Sequence, residues 1–326
     1  MTEDARHMRE ALAISRTARR VAPPNPWVGC VLVSDGAVIA RGATAAPGGA
    51  HAEVTALDAA GERARGSTLY TTLEPCGHHG RTGPCTEAII RAGVTRVVVS
   101  LEDPDDHVAG TGLQQLKDAG IEVSLGELAE DVADELAPYL WHRRTGRPFV
   151  VAKVASTLDG RVAMGDGSSQ WITSEASRAD AHELRADCQA ILVGAGTVRS
   201  DDPALTARTP EGIFEPLRVV LGRAPVAARV HPCWERSGEL GPVLDELGAA
   251  GVVQLLVEGG PSTAGEFVER GLVNRVVWYL APALAGSASG HGAISNWGTA
   301  SMAELRRGRI RDVRRIGEDV RIEMEV

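Results

Sequence analysis

Two successive α/β domains are what this sequence predicts, from three observations. Its 326 residues exceed the roughly 150 that one domain commonly takes. Strand-like and helix-like segments alternate on both sides of a polar stretch carrying Gly and Pro, His142-Arg143-Arg144-Thr145-Gly146-Arg147-Pro148, the composition of a domain linker. A hydrophobic content of 44% suffices for two cores. The boundary is placed between residues 145 and 146, with a layered α/β architecture on either side.

In the first half, residues 5–20 carry Met8, Ala11, Leu12 and Ile14 at the spacing of an amphipathic helix. Val28–Val33 and Ala37–Ala40 flank Ser34-Asp35-Gly36, a hairpin signal. Val54, Leu57 and Ala60 predict a helix over Glu53–Ala64, with His51 and Glu53 at its first turn. Thr68–Thr72 reads as a short strand. Pro84, just before Cys85, marks another helix start. Val94–Ser100 is a buried strand, Leu113–Ala119 a helix closed by Gly120, and Ile121–Ser124 a further strand. The second half opens with a strand at Phe149–Ala155. A helix near 174–187, strands at 190–194 and 217–221, a helix at 241–249 and strands at 252–257 and 275–280 follow. Residues 222–240 are poorly periodic and receive no assignment.

A net charge of -9 is the opposite of a nucleic-acid footprint. Lysine occurs only as Lys117 and Lys153, so arginine carries nearly all the positive charge and no single Arg marks a phosphate by itself. No apolar run reaches the ~18 residues of a membrane span. The charged start Thr2-Glu3-Asp4-Ala5-Arg6 reads as a helix rather than a signal peptide. Five cysteines are an odd number. Cys30, Cys188 and Cys233 are scattered as buried thiols would be, which fits a reducing cytoplasm.

The other two cysteines carry chemistry. His51-Ala52-Glu53 is followed by Pro75-Cys76 and Pro84-Cys85. One imidazole and two thiolates hold a zinc ion and leave its fourth position to water, while Glu53 serves as a proton shuttle rather than a ligand. Zinc lowers the pKa of that water, which suits attack on a ring carbon bearing an exocyclic amine, with Glu53 carrying protons to the ring nitrogen and the departing ammonia. A helix start at Cys85 helps keep its thiolate ionised. The alternative is a closed structural site with His78 or His79 as fourth ligand, in which Glu53 would have no purpose. The cysteines are nine positions apart, against the usual Pro-Cys-x-x-Cys, so a longer loop walls this pocket. Asn25, between Pro24 and Pro26, either reads the edge of a heterocycle or serves as an ordinary turn residue.

Pro24-Asn25-Pro26-x-Val28-Gly29, His51-Ala52-Glu53-Val54, the run from Thr72 to Cys85 and Asp103-Pro104 with Val108-Ala109-Gly110 together resemble the bifunctional riboflavin biosynthesis deaminase-reductase family. The resemblance implies an N-terminal cytidine-deaminase-like three-layer α/β/α domain that deaminates a diaminopyrimidinone ribosyl phosphate, with Asn25 at the pyrimidine and Arg81 on the phosphate side. Two positions depart from the family pattern: Thr44 stands where a His is usual, and Gly83 replaces a Pro.

In the second half, Gly194-x-Gly196-Thr197 and Glu258-Gly259-Gly260 each follow a predicted strand. Such turns are ready anion sites, and two in one domain point to a dinucleotide. A Gly-x-Gly-x-x-Gly with a distal acid is missing, so a Rossmann site is not supported. Lys153 with Ser156-x-Leu158-Asp159-Gly160-Arg161, Ser169-Gln170-Trp171-Ile172-Thr173 and Asp201-Asp202-Pro203-x-Leu205-Thr206-x-Arg208 resemble the reductase half of the same family, which is similar to dihydrofolate reductase in fold. This implies that Ala155, Trp171, Thr197, Asp201 and the loop Gly260-Pro261-Ser262-Thr263-Ala264-Gly265-Glu266 contact NADPH. Ser169, Arg185, Leu205, Arg208 and Glu258 would contact the substrate, with Arg185 and Arg208 forking onto its phosphate. The implied chemistry is hydride delivery to C1′ of the opened ribosylamine. On residues alone, Trp171 equally suits a core and the two arginines a solvated surface. The preference for NADPH over NADH comes from the resemblance, as does the expectation of a homo-oligomer. Two other readings remain: a deaminase whose shortened segment after Gly222-Arg223 has cost it the reductase, and a zinc-stabilised binding protein.

Overall fold

A computed structural model describes residues 2–78, 83–105, 109–286, 291–295, 298 and 301–326. Arg81 and His79 lie outside the described residues. Two compact units divide the chain, Met1–Arg147 and Pro148–Val326, at 147/148 rather than at 145/146.

The first unit runs α1 (Glu3–Ser15), β1 (Gly29–Ser34), β2 (Ala37–Ala43), α2 (Ala52–Ala60), β3 (Thr68–Leu73), α3 (Cys85–Ala92), β4 (Arg96–Leu101), α4 (Thr111–Asp118), β5 (Glu122–Leu125), α5 (Ala129–Glu135) and α6 (Ala137–Thr145). Its sheet has the order β2-β1-β3-β4-β5. β1 is antiparallel to both neighbours, and β3, β4 and β5 run parallel. The β1–β2 hairpin turns through Asp35 and Gly36 with φ of 51° and 73°, the two left-handed residues of a type I′ turn. α1 starts where Thr2 caps it, its hydroxyl accepting the Ala5 N–H at 3.1 Å. It is shorter than its apolar pattern suggests, ending at Ser15 before a 3₁₀ turn over Arg16–Ala18.

The period-2 pleat sends alternate residues of β1 to opposite layers. On one face Val31 and Val33 pack with Met8 and Ala11 of α1 and with Tyr70 and Val98. On the other, Gly42, paired with Cys30, lets α2 lie directly on the sheet, where an added Cβ would overlap the Ala52 carbonyl. Helices on both faces make three layers. Gly42→Ala is therefore expected to push α2, with His51 and Glu53, off the sheet. A loss of about 1–3 kcal/mol would be read as a lower urea midpoint. α5 and α6 were not predicted. Val132, Leu136, Tyr139 and Leu140 are buried at helical spacing, but Pro138 at the start of α6 interrupts the pattern into two short pieces.

The second unit runs β6 (Phe149–Thr157), β7 (Arg161–Ala163), α7 (Glu175–Ala186), β8 (Ala190–Gly194), α8 (Ala195–Asp201), β9 (Ala207–Thr209), β10 (Gly212–Phe214), β11 (Leu217–Leu221), β12 (Trp234–Arg236), α9 (Leu240–Ala249), β13 (Gln254–Val257), α10 (Pro261–Glu269), β14 (Arg275–Ala281), β15 (His291–Gly292), β16 (Arg309–Ile316) and β17 (Asp319–Glu325). The main sheet has the order β12-β11-β8-β13-β6-β14-β17-β16. It is parallel from β12 to β14 and antiparallel through the C-terminal hairpin. Val150, Leu192, Leu255 and Val257 form one core with Leu244 and Leu247 of α9 and Phe267 of α10, which is why the central strands read as continuous apolar runs. The unassigned 222–240 segment contributes β12, a three-residue edge strand too short to show a period. The sequence reading also omits the β16–β17 hairpin: β17 alternates Val320, Ile322 and Met324 with charged residues, but in β16 a register shift between Ile310 and Asp312 breaks the alternation. Among the described residues no helix is long and apolar enough to cross a membrane.

Candidate functional site

His51 is the N-cap of α2 and Glu53 stands in its first turn. Cys76 follows the end of β3, and Cys85 opens α3 behind Pro84. The imidazole Nδ1 of His51 lies 3.5 Å from Cys76 Sγ and 3.3 Å from Cys85 Sγ, and the three donor atoms all fall within 4.8 Å of one another. Tetrahedral zinc with ordinary Zn–N and Zn–S bonds separates its nitrogen and sulfur ligands by about 3.6 Å, so the donor set fits that ion. Among the described residues, His51, Cys76 and Cys85 are the cluster that could hold a metal. His78 lines the adjoining cavity without joining them.

The electrostatics follow from burial and shared protons. The Cys85 hydrogen bond pulls the Cys76 thiol down to about 4, helped by His51, and the Cys85 N–H donates to the same sulfur at 3.4 Å. Cys85, sharing its proton with Cys76 and buried, is pushed far up. The Cys76 hydrogen bond raises His51. Burial lifts the Glu53 carboxyl to about 7 against the pull of His51; its Oε2 accepts from Cys85 Sγ at 3.6 Å. A carboxyl that titrates near neutrality can both take and return a proton.

His51, Glu53 and Cys76 open onto a cavity of about 600 Å³. Asn25 lines it while its backbone N–H closes a turn onto the Ala22 carbonyl at 2.9 Å, so turn and pocket wall are the same residue. Thr44 also borders the cavity, but its hydroxyl accepts the Val28 N–H at 3.0 Å, a link between the end of β2 and the start of its neighbour β1. Glu74, within the Thr-Leu-Glu-Pro-Cys run, is not a ligand. Its carboxylate accepts backbone N–H groups of Asp103, Gly110, Gly112 and Leu113 at 2.9–3.3 Å, holding the start of α4 against the cysteine loop.

In the second unit the sheet gathers residues that are far apart in sequence. β8, β13 and β6 are parallel neighbours, so both Gly-rich turns and Ala155 sit at carboxyl ends of adjacent strands, where open α/β sheets bind ligands. Thr197 accepts the Gly260 N–H at 3.2 Å, joining the two turns. Among the described residues, no non-neighbouring atom lies within 4 Å of where a Cβ on Gly196 would stand, and the nearest to one on Gly260 is Thr197 Oγ1 at 3.5 Å. Phosphate oxygens can therefore approach both backbones, and the crevice fits a dinucleotide. The predicted loop 260–266 is mostly helix: Gly260 is the N-cap and Pro261 the first residue of α10, a position proline favours. Thr263 turns its side chain onto Gly194 and Gly259, Ser262 meets Ser295 at 3.4 Å, and Ala264 and Gly265 are buried. Glu266 pairs with Arg270 at 3.1 Å.

Arg185 and Glu258 form a two-pronged ion pair, both bonds 2.7 Å. Burial alone would raise Glu258, but the Arg185 charge and hydrogen bonds hold it down to about 2. Arg185 also donates to the Thr206 carbonyl at 3.2 Å, and Arg208 to the Thr206 hydroxyl at 2.9 Å, which brings the exposed Arg208 to the same corner. Leu205 is buried with φ of 53°. Trp171 is 70% exposed and stacks under the Arg178 guanidinium at 4.7 Å. Ser169 precedes it in the same partly exposed loop, and Asp201 closes α8.

Three side chains escaped the sequence-based site. Lys153 on β6 has its pKa lowered by burial while Glu258 pulls it up. Its signal was a lysine inside the apolar run Val150–Ala155 in a chain that otherwise uses lysine once. Tyr139 and Arg143 on α6 line the first unit's cavity; no local pattern marks them.

Comparison with known proteins agrees with both units. The family described as the cytidine and deoxycytidylate deaminase zinc-binding region matches residues 1–101, and the RibD C-terminal domain matches residues 148–322. The riboflavin biosynthesis protein RibD of Escherichia coli is 37% identical, covering 98% of each chain. That of Mycobacterium tuberculosis is 43% identical, covering 91% of this chain and 90% of its own. The Acinetobacter baumannii RibD structure superposes with a TM-score of 0.92 at 36% identity, covering 99% of this chain and 98% of that one. A Thermotoga maritima structure named as a diaminohydroxyphosphoribosylaminopyrimidine deaminase/5-amino-6-(5-phosphoribosylamino)uracil reductase gives 0.92 at 32% identity, with coverage of 99% and 98%. Zinc-binding deaminase unit and reductase unit together, this chain belongs to the RibD family of bifunctional riboflavin-biosynthesis enzymes.

Proposed function

We propose that the first unit hydrolyses the ring amine of a diaminopyrimidinone ribosyl phosphate and that the second reduces the ribosyl group of the resulting aminouracil to a ribityl chain, the two reactions in the name of the Thermotoga relative. The observation that carries this is the convergence of His51, Cys76 and Cys85 beside the buried Glu53. In this reading those three residues hold the zinc, which when bound acidifies a water molecule. Glu53 would take one proton from the attacking water and deliver it to the ring nitrogen, then carry the second, released as the new hydroxyl becomes C=O, to the amine, which leaves as ammonia as the C–N bond breaks. Asn25 on the cavity wall reads the pyrimidine edge, and Arg81 faces the phosphate.

NADPH, when bound, supplies the hydride for the second reaction. We assign its phosphates to Thr197 and the open backbone at Gly196 and Gly260, with Ala155, Trp171, Asp201 and the residues from Pro261 to Glu266 completing its site. Arg208 faces the substrate phosphate. Arg185 and Glu258, bound to each other, together with Ser169 and Leu205, shape the rest of the substrate pocket. We further propose a cytoplasmic enzyme, where its free cysteines stay reduced, assembled as a homo-oligomer, which light scattering would read.

The test follows ammonia release and NADPH oxidation separately on zinc-loaded protein given the diaminopyrimidinone ribosyl phosphate. Both signals support the proposal; ammonia without NADPH oxidation would mean that the second unit is not a working reductase on this substrate. A strong chelator is expected to cut ammonia release by about a hundredfold or more, while NADPH oxidation on the aminouracil substrate persists, because the metal donors all belong to the first unit.

A further inference from the structure

The cavity beside Glu53 is lined by carboxylates, yet the proposed substrate brings a phosphate into it. Glu53, Glu74, Asp103 and Asp105 all border the space. Glu74 has its oxygens occupied by four backbone donors, and Asp103 accepts the Tyr139 hydroxyl on both oxygens at 3.1 and 3.2 Å. Arg81, assigned to the phosphate above, lies outside the described residues, and a phosphate dianion has charge enough for a second cation. Among the described residues one arginine lines the cavity, Arg143.

Arg143 stands on the last turn of α6 with its side chain 33% exposed. Its guanidinium carbon lies 5.3 Å from the centre of the Tyr139 ring, within the range of a cation–π contact. Its Nη1 is 3.6 Å from Asp105 Oδ2, longer than a hydrogen bond between these groups. A guanidinium carries five N–H donors and keeps its charge at any working pH. The Tyr139 ring supports one face of the group, and Asp103 fixes that ring from the other end of its hydroxyl. The result is a supported, planar cation at the wall of the cavity, with a loose carboxylate contact that a phosphate could displace.

We propose that Arg143 binds the phosphate of the deaminase substrate, with Tyr139 as the platform that orients it. This rests on the substrate proposed above. The chemistry selected is a ribosyl phosphate against the same ribosylamine without its phosphate.

The test compares the wild-type full chain, zinc-loaded, with Arg143→Met and Arg143→Lys. Ammonia release is measured on the phosphorylated substrate and on its dephosphorylated form. With the phosphorylated substrate, Arg143→Met should raise KM by about ten- to a hundredfold, the loss of charge-assisted hydrogen bonds, with kcat nearly unchanged. With the dephosphorylated form, wild type and Arg143→Met should have the same KM, and Arg143→Lys should recover part of the loss on the phosphorylated one. An equal rise on both substrates would overturn the proposal, because Arg143 would then act through Tyr139 and Asp103 rather than on the phosphate. An unchanged KM on the phosphorylated substrate would overturn it too. Wild type that releases ammonia from neither compound would refute the substrate itself, and this inference with it.

Discussion

Glu53→Gln is expected to lower kcat for ammonia release by between about a hundredfold and about ten-thousandfold, the usual contribution of a positioned acid–base group, and to leave NADPH oxidation on the aminouracil substrate unchanged. The substitution keeps shape and removes the proton carrier. It should also fold well, because the carboxyl it replaces is buried and already pushed up to about 7, so a neutral amide suits the same space. Zinc content separates the mechanistic role from a structural one. Glu53 lies outside the donor cluster, so the variant should bind as much zinc as wild type by elemental analysis. Loss of zinc together with activity would make Glu53 a support of the metal site instead of a proton carrier.

Arg185→Met should destabilise the second unit by about 3–5 kcal/mol, the cost of leaving one member of a buried pair without its partner. The two side chains are 19% and 7% exposed, so solvent screens the pair little, and Met leaves the Glu258 carboxylate facing Lys153 alone. The double variant Arg185→Met/Glu258→Gln removes both charges and should regain much of the stability without regaining NADPH oxidation, a non-additivity that a double-mutant cycle reads directly. The pair also predicts an acid response. Glu258 is depressed from 4.5 to about 2 in the fold, so its contribution is fully present above about pH 4.5 and is lost as pH falls toward 2. The unfolding midpoint of wild type should therefore drop across that window through this group, and the drop should shrink in the double variant.

The parts of this protein that were legible in its sequence are those governed by neighbours along the chain. Asp35-Gly36 dictates a hairpin because its two residues tolerate positive φ. Pro84 before Cys85 marks a helix start because proline cannot sit inside a helix that continues behind it, and here it is the N-cap of α3. His51-Ala52-Glu53 is informative at short range because a ligand and a carboxylate two residues apart land on one helix turn. The failures have equally local causes: Pro138 splits the signal of α5 and α6, and the irregularity at Ile310–Asp312 breaks the alternation of β16 in the final hairpin.

What the sequence by itself determined is therefore most of the element types, the His51, Cys76 and Cys85 set that comes together as a cluster able to hold a metal, and the existence of two units. What only the tertiary structure decided is which distant groups meet. The two Gly-rich turns became one crevice when β8 and β13 took adjacent places in the sheet. Arg185 and Glu258 became one buried ion pair, and Tyr139 and Arg143 reached the cavity of Asp103 from the last helix of their unit. The physical reason is range. Turn, cap and periodicity rules act over a few residues, whereas strand order and the pairing of buried charges are settled by packing among segments whose separation along the chain carries no record of their meeting.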